Sequence, residues 1–118
     1  MSVMAVVEIA GRALLAALFV LAGVAKILGP KPFLVHMDQF KLPRLLLPAV
    51  IALEIGAGLG LAIGWRLPIF AGILAAFCLA TAAVFHRNLA DRAERTQFFK
   101  DIALAGALVV IATGAMAA

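Results

Sequence analysis

Residues 67–85 read LPIFAGILAAFCLATAAVF, 19 consecutive positions without a charged side chain. At 1.5 Å of rise per residue such a helix is about 29 Å long, close to the thickness of a bilayer's hydrocarbon. Working outward, residues 102–118 form another charge-free run, interrupted by glycine but not by proline. Residues 45–65 form a third, broken only by Glu54. The first segment, residues 9–28, carries Arg12 near one end and Lys26 near the other, both close enough to an interface for the side chain to snorkel to it. The expected fold is all-α: an integral membrane four-helix transmembrane bundle with a short interfacial helix in the first loop. A single transmembrane domain would span 1–118, with helices near 8–28, 46–64, 67–86 and 98–117.

Composition agrees with that expectation. Of the 118 residues 66% are hydrophobic and 14% charged, with a mean hydropathy of +1.17. Average soluble chains carry about 25% charged residues, so this one lacks the material for a water-facing shell. The length leaves no room for a large catalytic domain outside the bilayer. A single cysteine, Cys78, excludes an internal disulfide framework and a dithiol relay within one chain. The isoelectric point near 10 is read as basic loops rather than as affinity for nucleic acid, and the lipid bilayer is the expected surrounding partner.

The connections differ in character. Gly64-Trp65-Arg66-Leu67-Pro68 reads as a tight turn with interfacial anchors, its proline early in the next helix where it is tolerated. The first connection is punctuated by Pro30, Pro32, Pro43 and Pro48, and between them Phe33, Met37 and Phe40 recur at helical spacing. Residues 86–100 are the most polar stretch. With four crossings, Lys26, Lys31, Lys41, Arg44, Arg87, Arg92, Arg95 and Lys100 fall on one side and only Arg12 and Arg66 on the other. The positive-inside rule then places both termini on the non-cytoplasmic side of a multi-pass plasma-membrane protein. Residues 1–7 lack a basic n-region, so a cleaved signal peptide is not expected.

Glu54 is the most informative residue. It lies near mid-bilayer, where an ionisable side chain costs about 2.5 kcal/mol or more unless it faces protein or water. Two roles stand open for it: a protonated or lysine-paired carboxylate that locks helix packing, and a proton acceptor or ligand-site carboxylate. Arg12, Phe19, Gly23 and Lys26 fall on one narrow face of the first helix, suited to pack against the helix carrying Glu54. Arg12 has an alternative partner in Glu8 one turn earlier, and Lys26 an alternative in the headgroups. Gly56, Gly60 and Gly64 form a small-residue stripe for close helix approach, while Gly58 lies a turn beyond Glu54. At the polar end, His86, Lys100 and Asp101 join Lys26 in an expected rim above Glu54, able to receive an anionic or redox-active headgroup or to act only as interfacial anchors. His36 and His86 sit in separate connections without other ligands at metal-binding spacing, so no metal is expected. Cys78 reads as a small packing residue.

These residues resemble the DoxX family of small bacterial membrane proteins. The resemblance rests on Arg12, Phe19, Ala22-Gly23, Lys26 and Pro30, then on Glu54, Gly58, Leu61, Gly64 and Arg66, and finally on Phe85-His86 and Phe99-Lys100. Asp101 departs from the asparagine expected after that lysine. The resemblance implies a four-helix membrane protein of the bacterial inner membrane, associated with oxidoreductase systems. Family relatives include the small subunit of an archaeal thiosulfate:quinone oxidoreductase and proteins linked to quinone or catechol stress and oxidant defence.

The leading expectation is a membrane subunit of a redox or oxidative-stress system that binds a quinone-like or sulfur-linked partner near the cytoplasmic rim. Glu54 would accept a proton, and Lys26, His86, Lys100 and Arg12 would bind the ligand. No residue stores electrons, so no intrinsic cofactor is expected; a bound quinone or a soluble or membrane oxidoreductase partner would carry them. Any enzymatic role is that of an accessory subunit rather than a self-sufficient catalyst. The alternatives are a small proton-coupled transporter, working as a homo-oligomer, and a scaffold recruiting a soluble oxidoreductase through residues 87–100.

Overall fold

The computed structural model describes residues 2–86 and 88–117. Among them every regular element is a helix: α1 (Val3–Leu28), α2 (Lys31–Gln39), α3 (Leu46–Ile63), α4 (Leu67–Phe85) and α5 (Arg92–Ala117). All but α2 are long and apolar enough to cross a membrane. The chain divides into two compact units, Met1–Arg66 and Leu67–Ala118.

Two of the long helices start earlier than hydrophobicity alone predicts, and each does so at a side-chain cap. The Ser2 hydroxyl accepts the Ala5 N–H at 3.1 Å, which starts α1 at Val3 rather than near residue 8. The Asp91 carboxylate accepts the Glu94 N–H at 3.1 Å, and the Arg95 N–H reaches the Asp91 carbonyl at 2.9 Å. That cap starts α5 at Arg92 rather than near residue 98. The polar connection expected over residues 86–100 is therefore mostly the first turns of a helix. Arg87, counted in the basic side of the chain and in the recruiting loop, lies outside the described residues.

In the first unit α1 and α3 run antiparallel and pack closely through glycine. A Cβ on Gly58 would stand 3.0 Å from Val20 Cγ2 and 3.4 Å from both the Ala16 carbonyl oxygen and Phe19 Cβ. Along the same seam Gly23 faces Ile55 and Glu54. Small residues at such crossings let backbones approach and strengthen van der Waals contact, the main attraction available between helices in lipid. The stripe expected of Gly56, Gly60 and Gly64 is put to other use. Gly56 is exposed, with nothing described within 4 Å of its would-be Cβ, and Gly64 is the C-terminal cap of α3. Its φ of 77° lies in the left-handed region, and the N–H groups of Gly64 and Trp65 both reach the Gly60 carbonyl at 3.1 Å.

Helix α2 begins with Pro30 at its cap and Pro32 in its first turn, where neither removes a needed hydrogen bond. Met37 is buried, and after Phe40 the chain turns through Lys41 at a φ of 58°. The turn is tied by Arg44, whose Nη2 donates to Asp38 Oδ2 at 2.7 Å and whose Nε lies 3.4 Å from Oδ1. The Arg44 hydrogen bond, helped by its charge, holds the Asp38 carboxyl below its ordinary value of 3.8 against a smaller desolvation effect. Because the folded value is the lower one, this tie contributes above pH 3.8 and is lost as pH falls through that depressed value. The Asp38 carboxyl resonance should titrate below 3.8 in the native chain and return to 3.8 in Arg44→Ala. Thermal stability should change little, since the pair is exposed.

In the second unit α4 and α5 pack against each other. Ala71, Leu74, Ala75, Cys78 and Ala82 on α4, and Ala105, Leu108 and Ala112 on α5, are buried at three- and four-residue spacing. Alanine dominates these positions, which again favours close approach of two backbones.

Candidate functional site

The position of Glu54 follows from α3 alone: it lies at the middle of an 18-residue apolar helix, one of the two points farthest from either end. Packing then decides its partner. Gly23, on the facing side of α1, lacks a side chain, and this brings the last turns of α1 against Glu54 and Ile55. Lys26, one turn further on the same face, thereby reaches Glu54 with Nζ 2.8 Å from Oε1. The Glu54 side chain is 4% exposed and that of Lys26 is 16% exposed. At that distance the ammonium and the carboxylate form a close ion pair. On its other side the ammonium lies 4.8 Å from the centre of the Phe33 ring, contributed by α2. Three helices of the first unit thus converge on one buried ion pair. Chemically it offers an ammonium that donates to a carbonyl or anion, and a carboxylate oxygen with acceptor capacity still open.

Arg12 lies at the opposite end of the same α1–α3 seam. Its guanidinium sits where a Cβ on Gly64 would be, with Nη2 3.0 Å and Cζ 3.3 Å from that point. A cation beside the C-terminal end of α3 is favoured by the partial negative charge of the last carbonyls. Its Nε is buried without a hydrogen-bond partner among the described residues. Arg12 therefore belongs to the end of α3 and not to the Glu54 pair, although sequence placed both cations on one face.

The other candidates belong to the second unit. His86, directly after α4, has Nδ1 3.0 Å from Glu94 Oε2 and Nε2 3.7 Å from Asp101 Oδ2. The Thr81 hydroxyl stands 2.9 Å from the Cys78 carbonyl and 3.3 Å from Asp101 Oδ2. Lys100 is exposed beside Asp101 on α5. Of the rim expected of Lys26, His86, Lys100 and Asp101, Lys26 belongs to the first unit and the other three to the second. Among the described residues no group of three His, Cys, Asp or Glu is placed to hold a metal ion.

Comparison with known proteins decides the family. The DoxX family model matches residues 8–87, well over half of the chain. The chain belongs to the DoxX family. It is also 35% identical over 101 residues to the inner membrane protein YqjF of Escherichia coli strain K12, an alignment covering 86% of this chain and 78% of that protein. No solved structure matches it. Four apolar helices together with this relative make the DoxX chain a membrane protein.

Several contacts in this DoxX chain were missed in its sequence. Phe33 follows Lys26 by seven residues, but Gly29 and Pro30 interrupt the helix between them, so no periodicity relates the two. Glu94 lies in a stretch whose polarity predicts a loop, which hides its place on a helix. The Asp91-x-x-Glu94 spacing was the available signal, since a helix starting there puts Glu94 and Asp101, seven residues apart, on one face.

Proposed function

We propose that this DoxX protein is a small inner-membrane subunit that binds a quinone-like or sulfur-linked redox partner at the Lys26–Glu54 pair. The observation that carries this reading is a carboxylate buried in mid-helix with an ammonium 2.8 Å from its Oε1. A membrane-soluble quinol complements that arrangement. One of its hydroxyls accepts from Lys26 Nζ and donates to Glu54 Oε1; when a partner oxidoreductase removes the two electrons, Glu54 takes that proton and the second hydroxyl gives its own to solvent. Phe33 offers an aromatic face beside the ammonium. In this reading the side that carries eight of the ten basic residues is cytoplasmic and both termini lie on the other. No side chain here stores electrons, so they travel on the ligand or on a partner oxidoreductase.

The test is a titration of the detergent-purified protein with a menaquinol or ubiquinol analogue kept reduced, alongside analysis of the lipids that co-purify. Loss of one charge-assisted hydrogen bond is worth about 1.5–3 kcal/mol, so Glu54→Gln and Lys26→Ala should each weaken binding about 10- to 100-fold. Unaltered affinity in both variants would remove the pair from the proposed site.

A further inference from the structure

We propose that His86 is a proton-transfer residue linking the Glu94 and Asp101 carboxylates across the α4–α5 helix pair, a site separate from the Lys26–Glu54 pair. Its two ring nitrogens face different carboxylates, Nδ1 toward Glu94 at 3.0 Å and Nε2 toward Asp101 at 3.7 Å. A metal would need those acids on one nitrogen's side; this arrangement instead suits an imidazole that accepts a proton at one nitrogen and releases one from the other. Exposure falls along the row, from 30% for the Glu94 side chain to 19% for His86 and 16% for Asp101, so Glu94 is the end that meets solvent.

The step balances with no other reactant. Protonated Glu94 gives its proton to Nδ1 of a neutral ring that carries hydrogen on Nε2, and that Nε2 hydrogen passes to Asp101 Oδ2. Glu94 ends ionised, the ring ends neutral with its hydrogen on Nδ1, and Asp101 ends protonated. The Nε2 gap is longer than a hydrogen bond, and a ring movement of less than about 1 Å closes it. Thr81 suits Asp101 to both states. Its single hydroxyl hydrogen points to ionised Asp101 at 3.3 Å, or turns to the Cys78 carbonyl at 2.9 Å while the oxygen accepts from the protonated acid. Among the described residues of this helix pair, the titratable and charged groups around the ring are Glu94 and Asp101, with Lys100 next to Asp101 and the buried Cys78 a turn below Thr81.

Time-resolved infrared spectroscopy after a pH jump from about 8 to about 5, on full-length protein in nanodiscs, reads the transfer directly. The protonated-carboxyl band of Asp101 is assigned by its loss in Asp101→Asn. His86→Gln should slow the rise of that band at least about tenfold, and Glu94→Gln should slow it likewise; His36→Gln should leave the rate as it is. An unchanged rate in His86→Gln, or no Asp101 band across the jump, overturns the proposal. Should His86→Gln fail to give helical protein by circular dichroism, the rate in Glu94→Gln decides alone, slowed for a relay and unchanged for a static ion pair.

Discussion

Lys26→Ala should destabilise the protein by about 3–5 kcal/mol, measured as reversible unfolding in mixed micelles. The size comes from what remains: Glu54, 4% exposed, would lose the ammonium that lies 2.8 Å from its Oε1. Glu54→Gln should cost less, because the Lys26 head at 16% exposure has a short path to the interface and an aliphatic stem to cover the gap. Replacing both at once, Lys26→Met with Glu54→Leu, should come within about 1 kcal/mol of the native chain or exceed it, since a dry pair of similar volume carries no desolvation cost. A loss in Lys26→Ala under about 0.5 kcal/mol would show that Glu54 is compensated by some other group. This series also separates two roles. If the doubly apolar variant is stable but no longer binds a quinol analogue, the pair is kept for function rather than for folding.

Gly23→Ala should cost about 1–3 kcal/mol, although the change adds a single methyl group to a helix. The new Cβ would lie 2.5 Å from Ile55 Cγ1, 3.2 Å from its Cδ1 and 3.5 Å from Glu54 Cβ, so α1 and α3 must separate or Ile55 must leave its rotamer. Separation lengthens the Lys26–Glu54 contact as well, which ties this substitution to the proposed site. The same change at Gly72 or Gly106, where nothing described lies within 4 Å of the would-be Cβ, should be neutral or stabilising by up to about 1 kcal/mol, because alanine loses less backbone freedom in a helix. Equal effects at Gly23 and Gly106 would mean that the α1–α3 seam is not closely packed. Ile55→Ala in the same chain should recover part of the Gly23→Ala loss, and a double-mutant cycle measures how much.

The contrast between Glu54 and His86 shows how far a one-dimensional reading reaches. Glu54 stood out because one charge in a long apolar run is conspicuous, and the helical period put Lys26 and Arg12 alike on the face of α1 suited to meet it. The surroundings of His86 stayed hidden, because Asp91 and Glu94 were taken for loop residues and their capping spacing went unused. Arg12 was ambiguous for another reason. Sharing a face of α1 with Lys26 says nothing about which level of α3 each cation meets, and the 14 residues between them span about 21 Å of helix.

The amino-acid sequence by itself determined the four long apolar helices, the membrane setting, the family and the one carboxylate that needs compensation. Each of these depends on composition or on periodicity within a single element, and the bilayer enforces both strongly. Only the tertiary structure decided that Lys26 rather than Arg12 meets Glu54, that Phe33 covers the ammonium, and that His86 faces two acids. Those pairings depend on how far one helix slides along another and on where a helix starts. Both are set by close packing at glycine and by capping hydrogen bonds, to which hydrophobicity is blind.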